Sequence, residues 1–300
     1  MDLIAAFRVF IRVAESGSFS AVARETTLSQ PAISRQIAAL EDHVGARLFH
    51  RTTRSLTLTD DGQDLLIHAK RVLDALAEAE QAVGHRRGRV AGQVRLSVPA
   101  TWGRLQLAPR LGKLLAAYPD LSIDLLLNDA PADLVAEGID LALRAGEITD
   151  GSLVARRISS VSRYVVASTA YLAAHGTPQK PQDLVAHQCL IFSRAVSPQI
   201  WHFTGPEGEL EIAVGGRLRS DSGEAIREAV IDGYGIALLP DWYFRDEIKS
   251  GQVRLLLENW QNPPTPVYAI YPSRRHLSPR VRALLDFLIA EFGVNGVAHK

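Results

Sequence analysis

The chain has 300 residues, 47% of them hydrophobic and 22% charged, and its 33 basic side chains are cancelled by 33 acidic ones. That length is enough for two or three domains with real cores, and the composition excludes a disordered protein. No run approaches the ~18 apolar residues of a membrane span, and a single cysteine, Cys189, excludes an internal disulfide framework and a Cys-rich zinc site.

The first helix is predicted over about Asp2 to Ser16, with Leu3, Phe7, Phe10, Ile11 and Ala14 on one face. Asp2, Arg8, Arg12 and Glu15 interrupt its apolar pattern, whereas a signal peptide keeps an unbroken apolar centre, so a cytoplasmic protein is expected. Gly17 sits where a left-handed residue would close this helix. A short helix, Ala21 to Glu25, and a tight turn follow.

Ser29 to Leu40, SQPAISRQIAAL, reads as a helix with a built start: Ser29 caps the first free N–H groups and Pro31 fits the first turn. Ile33, Ile37, Leu40 and Val44 form one apolar stripe. Pro31, Ser34, Arg35 and Ala38 project from the opposite side, with Gln30 at its edge. Small residues beside an Arg and a Gln suit a major groove, where Arg can bond guanine O6 and N7 together and Gln can bond adenine in the same bidentate way. Gly45 to Leu58 has strand-like ends with Arg51, Thr52, Arg54 and Ser55 at its tip, the pattern of a wing on the sugar-phosphate backbone or in the minor groove. Helix, turn, helix and basic wing together make a DNA-binding arrangement. Within residues 1–59 seven arginines face five acids, an excess of only +2. Tight binding is therefore expected to need more than one such head, with a steep salt dependence.

Thr59-Asp60-Asp61 starts the next helix, with a Thr cap and acids at the positive end of the dipole, and the pattern runs to about Arg87. Leu65, Ala69, Val72, Leu76, Ala79 and Val83 are spaced 4, 3, 4, 3, 4, a heptad seam through which two chains are expected to pair. Glycines spaced through a basic run, Gly84 to Gly92, mark a linker.

From Gln93 strands and helices alternate. Strands are predicted at Val94–Val98, Leu121–Leu127 and Ile139–Arg144, with helices at Arg104–Tyr118 and Pro131–Glu137, so a parallel sheet with right-handed crossovers is expected. A second unit begins near Arg163, with strands at Tyr164–Ala167, Cys189–Phe192, Gly216–Arg219 and Ile236–Leu239. Its helices are Thr169–Ala174, Ser222–Ile231 and Asp241–Ile248, with a hairpin around Gly205–Gly208. Pro266–Tyr271 and a helix Pro279–Phe292 close the chain. Cys189 falls in an alternating strand context and is expected to be buried. Gly233 to Pro240 closes a helix and enters a buried strand, so it is structural and not a dinucleotide fingerprint.

Ligands of open parallel sheets bind beyond the carboxyl ends of the strands. Thr101, Trp102, Asn128, Ser193 and Asp221 lie at those ends, and Thr101 and Ser222 also precede helices that favour an anion. Each has a plain alternative as a cap, turn former or apolar plug, and Arg144 reads more readily as a structural partner. The nine histidines show no HxxxH spacing, and no GxSxG, phosphate-cradling loop or metal-ligand cluster is present, so neither an enzyme nor a cofactor is expected.

Phe7, Phe10 and Val13, followed by GSFSAVARETTLSQPAISRQIAALEDHVGARLFHRTTRSLTLTDDG from Gly17 to Gly62, resemble the LysR-type transcriptional regulators, and the likeness continues to about Phe292. Asp60-Asp61 departs from it, since the family more often has a small residue beside the glycine. The resemblance implies an α/β protein overall: a winged helix-turn-helix over 1–59, a dimerising linker helix and hinge over 60–89, and an effector domain over 90–300. That domain would have two α/β lobes, about 90–162 with 267–300 and about 163–266, resembling periplasmic solute-binding proteins. It further implies double-stranded DNA, a small-molecule effector between the lobes, for which an organic anion fits the cleft loops, and self-association as a dimer or dimer of dimers. A solute-binding module without DNA reading and an enzyme on a doubly wound fold are the alternatives.

Overall fold

The computed structural model describes residues 1–26, 28–51, 56–82, 89–130, 133–146, 148, 150–195, 197–206, 208–272 and 277–293. Two compact units result: Met1–Gly92 with Asp133–Gly138, and Gln93–Ala132 with Ile139–Lys300.

In the first unit, α1 (Leu3–Ser16) begins where the Asp2 carboxylate accepts from the N–H groups of Ile4 and Ala5, and it ends at Gly17, whose φ of 63° only glycine adopts without strain. Helix α2 (Phe19–Glu25) starts two residues earlier than predicted, because Ser18 caps it through the Ala21 N–H. Helix α3 (Gln30–Val44) is capped by Ser29. Strands β1 (Phe49–Arg51) and β2 (Leu56–Leu58) pair antiparallel as the wing. The Thr59 hydroxyl accepts from the Gly62 N–H and donates to the Arg47 carbonyl, which starts α4 (Asp60–Ala82). One core joins these pieces: Phe7, Phe10, Val22, Ile33, Ile37 and Leu40 meet Leu48 and Phe49 of the wing. The Phe10 and Phe49 rings meet edge-on at 5.5 Å.

The second unit opens with β3 (Gly92–Val98). A helical stretch follows as α5 (Ala100–Trp102), a π-turn (Gly103–Leu107) and α6 (Ala108–Ala117). It starts four residues ahead of the predicted helix, and the wide turn precedes Pro109, which has no N–H for a regular ladder. Strands β4 (Leu121–Leu127), β5 (Leu141–Ala145) and β6 (Leu153–Val161) complete the outward path through the first lobe. In place of the predicted helix at Pro131–Glu137, described residues 133–138 form turns, with the Asp133 carboxylate holding the N–H groups of Val135 and Ala136. Pro131 and Ala132 lie outside the described residues.

The second lobe carries β7 (Tyr164–Ser168), α7 (Thr169–His175), β8 (Ile191–Phe192), the hairpin β9 (Ile200–Gly205) and β10 (Gly208–Ala213), β11 (Arg219–Ser220) and α8 (Gly223–Ile231). Strand β12 (Ala237–Leu239), α9 (Arg245–Ser250) and β13 (Val253–Leu256) follow. The predicted helix Asp241–Ile248 is broken into a 3-10 turn, Asp241–Tyr243, and α9. Strand β14 (Thr265–Pro272) and α10 (Pro279–Phe292) return to the first lobe.

The first lobe's sheet has the order β4-β3-β5-β14-β6, with β3 parallel to β5 and β14 antiparallel to both neighbours. It is mixed, not parallel as expected, because β6 leaves for the second lobe and β14 comes back beside it. In the second lobe β7 lies between β12 and β13, antiparallel to each, and β8 pairs with β11 in parallel. Cys189 and Ile236 bridge β8 toward β12. No helix among the described residues is long and apolar enough to cross a membrane.

Candidate functional site

The outer face of α3 is polar for the reason its inner face is apolar. Ile33, Ile37 and Leu40 are fully buried, while Ser29, Gln30, Pro31 and Arg35 are exposed and Ser34 is half-buried. Val44, predicted to extend the stripe, is 39% exposed, since the helix has outrun the core by its last turn. Gln30 is not loose: the Ser20 hydroxyl donates to its Oε1 at 3.1 Å. Arg51 closes β1 opposite Leu56, and Thr52 and Arg54 lie outside the described residues. Glu41, read only as a charge in the sequence, is 4% exposed and accepts from the Leu48 N–H at 2.9 Å, so it ties α3 to the wing.

The heptad seam divides along α4. Ala69 is buried in the head's own core and Leu65, Leu66 and Leu73 pack against it. These positions are engaged within the chain because α4 lies along α1, where Lys70 also pairs with Glu15 at 2.8 Å. Val72 is 42% exposed, Leu76 half-buried and Ala79 exposed, and Val83 lies outside the described residues.

The second unit encloses a cavity of about 330 Å³ where the two lobes meet. Trp102, Phe192, Trp201, Trp242 and Tyr243 form its aromatic wall, and its charged lining consists of Arg144, Arg163, Arg194 and Asp129. Of the positions expected there, only Trp102 lines it; its ring packs on Phe292 at 4.6 Å. Thr101 is 2% exposed and hydrogen-bonded to Tyr243, whose hydroxyl burial pushes up to about 12. Asn128 turns its Oδ1 to the Ala130 N–H, and Ser193 bonds the Ser220 carbonyl through its backbone. Asp221 points instead to Arg194, at 3.0 Å. In two cases the next residue along, Asp129 or Arg194, takes the lining position. Arg144 holds Ser97 Oγ at 3.0 Å and the Leu143 carbonyl at 2.9 Å while lining the cavity.

The lobes also meet outside the cavity, where Arg104 forks onto both carboxylate oxygens of Glu224, each at 2.8 Å. Cys189 is fully buried, and burial pushes its thiol up to about 12, which keeps it protonated and inert as expected of a core residue. Among the described residues no group of three His, Cys, Asp or Glu side chains could hold a metal ion.

A winged helix-turn-helix followed by a two-lobed α/β unit around a cavity defines a DNA-binding protein that answers to a small molecule. Family comparisons give the same class. The model for bacterial regulatory helix-turn-helix proteins of the lysR family matches residues 4–63, and that for the LysR substrate binding domain matches residues 87–293. The chain is 36% identical over 290 residues to the transcriptional regulator DmlR of Escherichia coli, covering 96% of this chain and 94% of that one. It is 35% identical over 285 residues to a transcriptional regulator of Xanthomonas campestris, covering 94% of this chain and 83% of the relative. The solved structure of CrgA, a LysR-type regulator from Neisseria meningitidis, superposes with a TM-score of 0.61 at 33% identity, covering 96% of this chain and 98% of that one. The chain belongs to the LysR family of transcriptional regulators. It is a DNA-binding regulator whose conformation on DNA is controlled by an effector, and its family is regulatory, not enzymatic.

Proposed function

We propose that this regulator reads double-stranded DNA with Ser29, Gln30, Pro31, Ser34 and Arg35 in the major groove, while Arg51, Thr52 and Arg54 hold the backbone. Two copies pair through the outward part of α4, at Val72, Leu76 and Ala79, as a dimer or a dimer of dimers in the cytoplasm. A small organic anion in the cavity biases the arrangement of the heads, which requires different affinity for it in the two arrangements. The observation that carries the anion is the cavity's charge: Arg144, Arg163 and Arg194 line it, and with Asp129 in the lining and Asp221 paired to Arg194 the balance stays positive.

Selection of genomic fragments by the purified protein, beside Arg35→Ala, tests the reading face. Wild type is expected to recover a two-fold symmetric motif. Arg35→Ala is expected to lose ~1–3 kcal/mol of discrimination between sites. An unchanged ranking of sites in the variant would show that Arg35 is not a reading residue.

A further inference from the structure

The chain crosses between the lobes twice, over residues 162–163 from β6 to β7 and over residues 257–264 from β13 to β14. Each crossing puts one polar side chain on the cavity wall, Arg163 on the first and Asn262 on the second. Both carry a buried atom with no hydrogen-bond partner: Arg163 Nε, a donor, and Asn262 Oδ1, an acceptor. The amide of Asn262 is oriented by its other end, since Nδ2 donates to the His202 carbonyl at 2.6 Å. The side chain is only 7% exposed, so water cannot reach Oδ1 freely.

Both residues line the same cavity. Val161 pairs with Thr265 in the antiparallel register of β6 and β14. The two crossings therefore leave the first lobe's sheet from paired strand ends, after Val161 and before Thr265. Buried polar groups are almost always paired, and an orphaned donor and an orphaned acceptor on one cavity call for a molecule that supplies both complements. The other cavity arginines have work already: Arg194 pairs with Asp221 and Arg144 with Ser97. Burial also lowers the pKa of Arg163, which marks an uncompensated cation. The aromatic lining of Trp102, Phe192, Trp201 and Trp242 takes an apolar body, and about 330 Å³ lies at the small end of ligand sites.

We infer that the effector is an aromatic acid that also carries a hydroxyl group, the carboxylate held by Arg163 and the hydroxyl donating to Asn262 Oδ1. The inference rests on the effector reading above and specifies the ligand of that same cavity. Because both contacts come from the crossings, such a ligand bonds to the two strands about which the lobes would turn.

The test uses the full-length protein and three probes: 2-hydroxy-3-phenylpropanoate, the same acid without its hydroxyl (3-phenylpropanoate), and 2-phenylethanol, without the carboxylate. Titration calorimetry is read together with tryptophan emission, since Trp102, Trp201 and Trp242, three of the four tryptophans, line the cavity. Losing the hydroxyl is expected to weaken binding about tenfold, and losing the carboxylate about a hundredfold. Arg163→Met keeps the bulk and removes the charge, so it should bind the hydroxy acid and the alcohol alike. The same variant should melt at a higher temperature than wild type, because an unpaired buried cation is gone. Equal binding of the three probes, no binding of the hydroxy acid, a retained carboxylate preference in Arg163→Met, or a lower melting temperature for that variant each overturns the inference. The genomic selection is scored separately. A recovered motif without probe binding defeats the ligand class and leaves the regulator's reading face standing, and probe binding without a motif does the reverse.

Discussion

The head and the ligand unit treat their polar residues in opposite ways. In the head, polar groups are engaged: Asp2, Ser18, Ser29 and Thr59 cap helices, and the buried Glu41 accepts the Leu48 N–H. The residues with spare hydrogen-bonding capacity stand in solvent, as Arg35 does. In the ligand unit the spare capacity is turned inward, at Arg163 and Asn262. A surface that must search along DNA can keep its donors hydrated until contact. A cavity that must tell one small molecule from another gains by holding unpaired groups that the wrong molecule leaves unpaired.

The contrast can be broken most forcefully at Phe10. Phe10→Ala removes a fully buried ring at the centre of the head and should cost about 3–5 kcal/mol, enough to unfold it. DNA affinity should vanish while tryptophan emission stays native, because all four tryptophans lie at Trp102 or beyond. Emission that shifts along with the loss of DNA binding would mean that the two units do not fold independently. A smaller effect sharpens the comparison at Glu41. Glu41→Ala strands the buried Leu48 N–H and should destabilise the head by about 1–3 kcal/mol in calorimetry. That is the opposite sign to the melting change expected of Arg163→Met, so a stabilising Glu41→Ala would erase the distinction drawn here. The smallest change belongs to the wing. Arg51→Ala should leave the melting temperature alone, weaken all DNA sites alike and reduce the salt slope by about 1, as one lost phosphate contact does.

What was legible in the sequence follows the same division. The head's first two helices came within two residues of their observed ends because their signals are local, a cap, an apolar period and a closing Gly17, whereas α3 started within one residue of its predicted start and ran four residues past Leu40. In the ligand unit β4 and α10 matched their predicted bounds, yet β6 and β13 went unread. Strand β6, LVARRISSV, buries only Ile158 and so lacks the alternation that marks a strand, and β13 is four residues long. The cavity was harder still. Of the strand-end positions Trp102 lines the cavity, while beside Asn128 and Ser193 it is the next residue that does, because which of two adjacent loop residues faces inward depends on tertiary packing. Arg163 and Asn262 stand at crossings that have no local motif, and they reach one cavity through segments about a hundred residues apart in sequence. The π-turn and the buried half of the seam are tertiary outcomes of the same kind: Leu65 and Ala69 satisfy the heptad rule and the head's core equally well.

Gly62 gives α4 a mechanical meaning. A side chain at that position would run into the Leu48 carbonyl and Leu58, so only glycine lets the first turn of α4 sit against the wing. With Ala69 buried behind it, the helix has no freedom to swivel at its root, and the head turns wherever the helix turns. Its 23 residues span about 34 Å at 1.5 Å per residue. A tilt of about 6° at the far end then carries the reading face about 3.5 Å, close to the ~3.4 Å between successive bases. The glycine therefore makes α4 a lever arm with the gearing to convert a few degrees of rotation into one step of register along the groove.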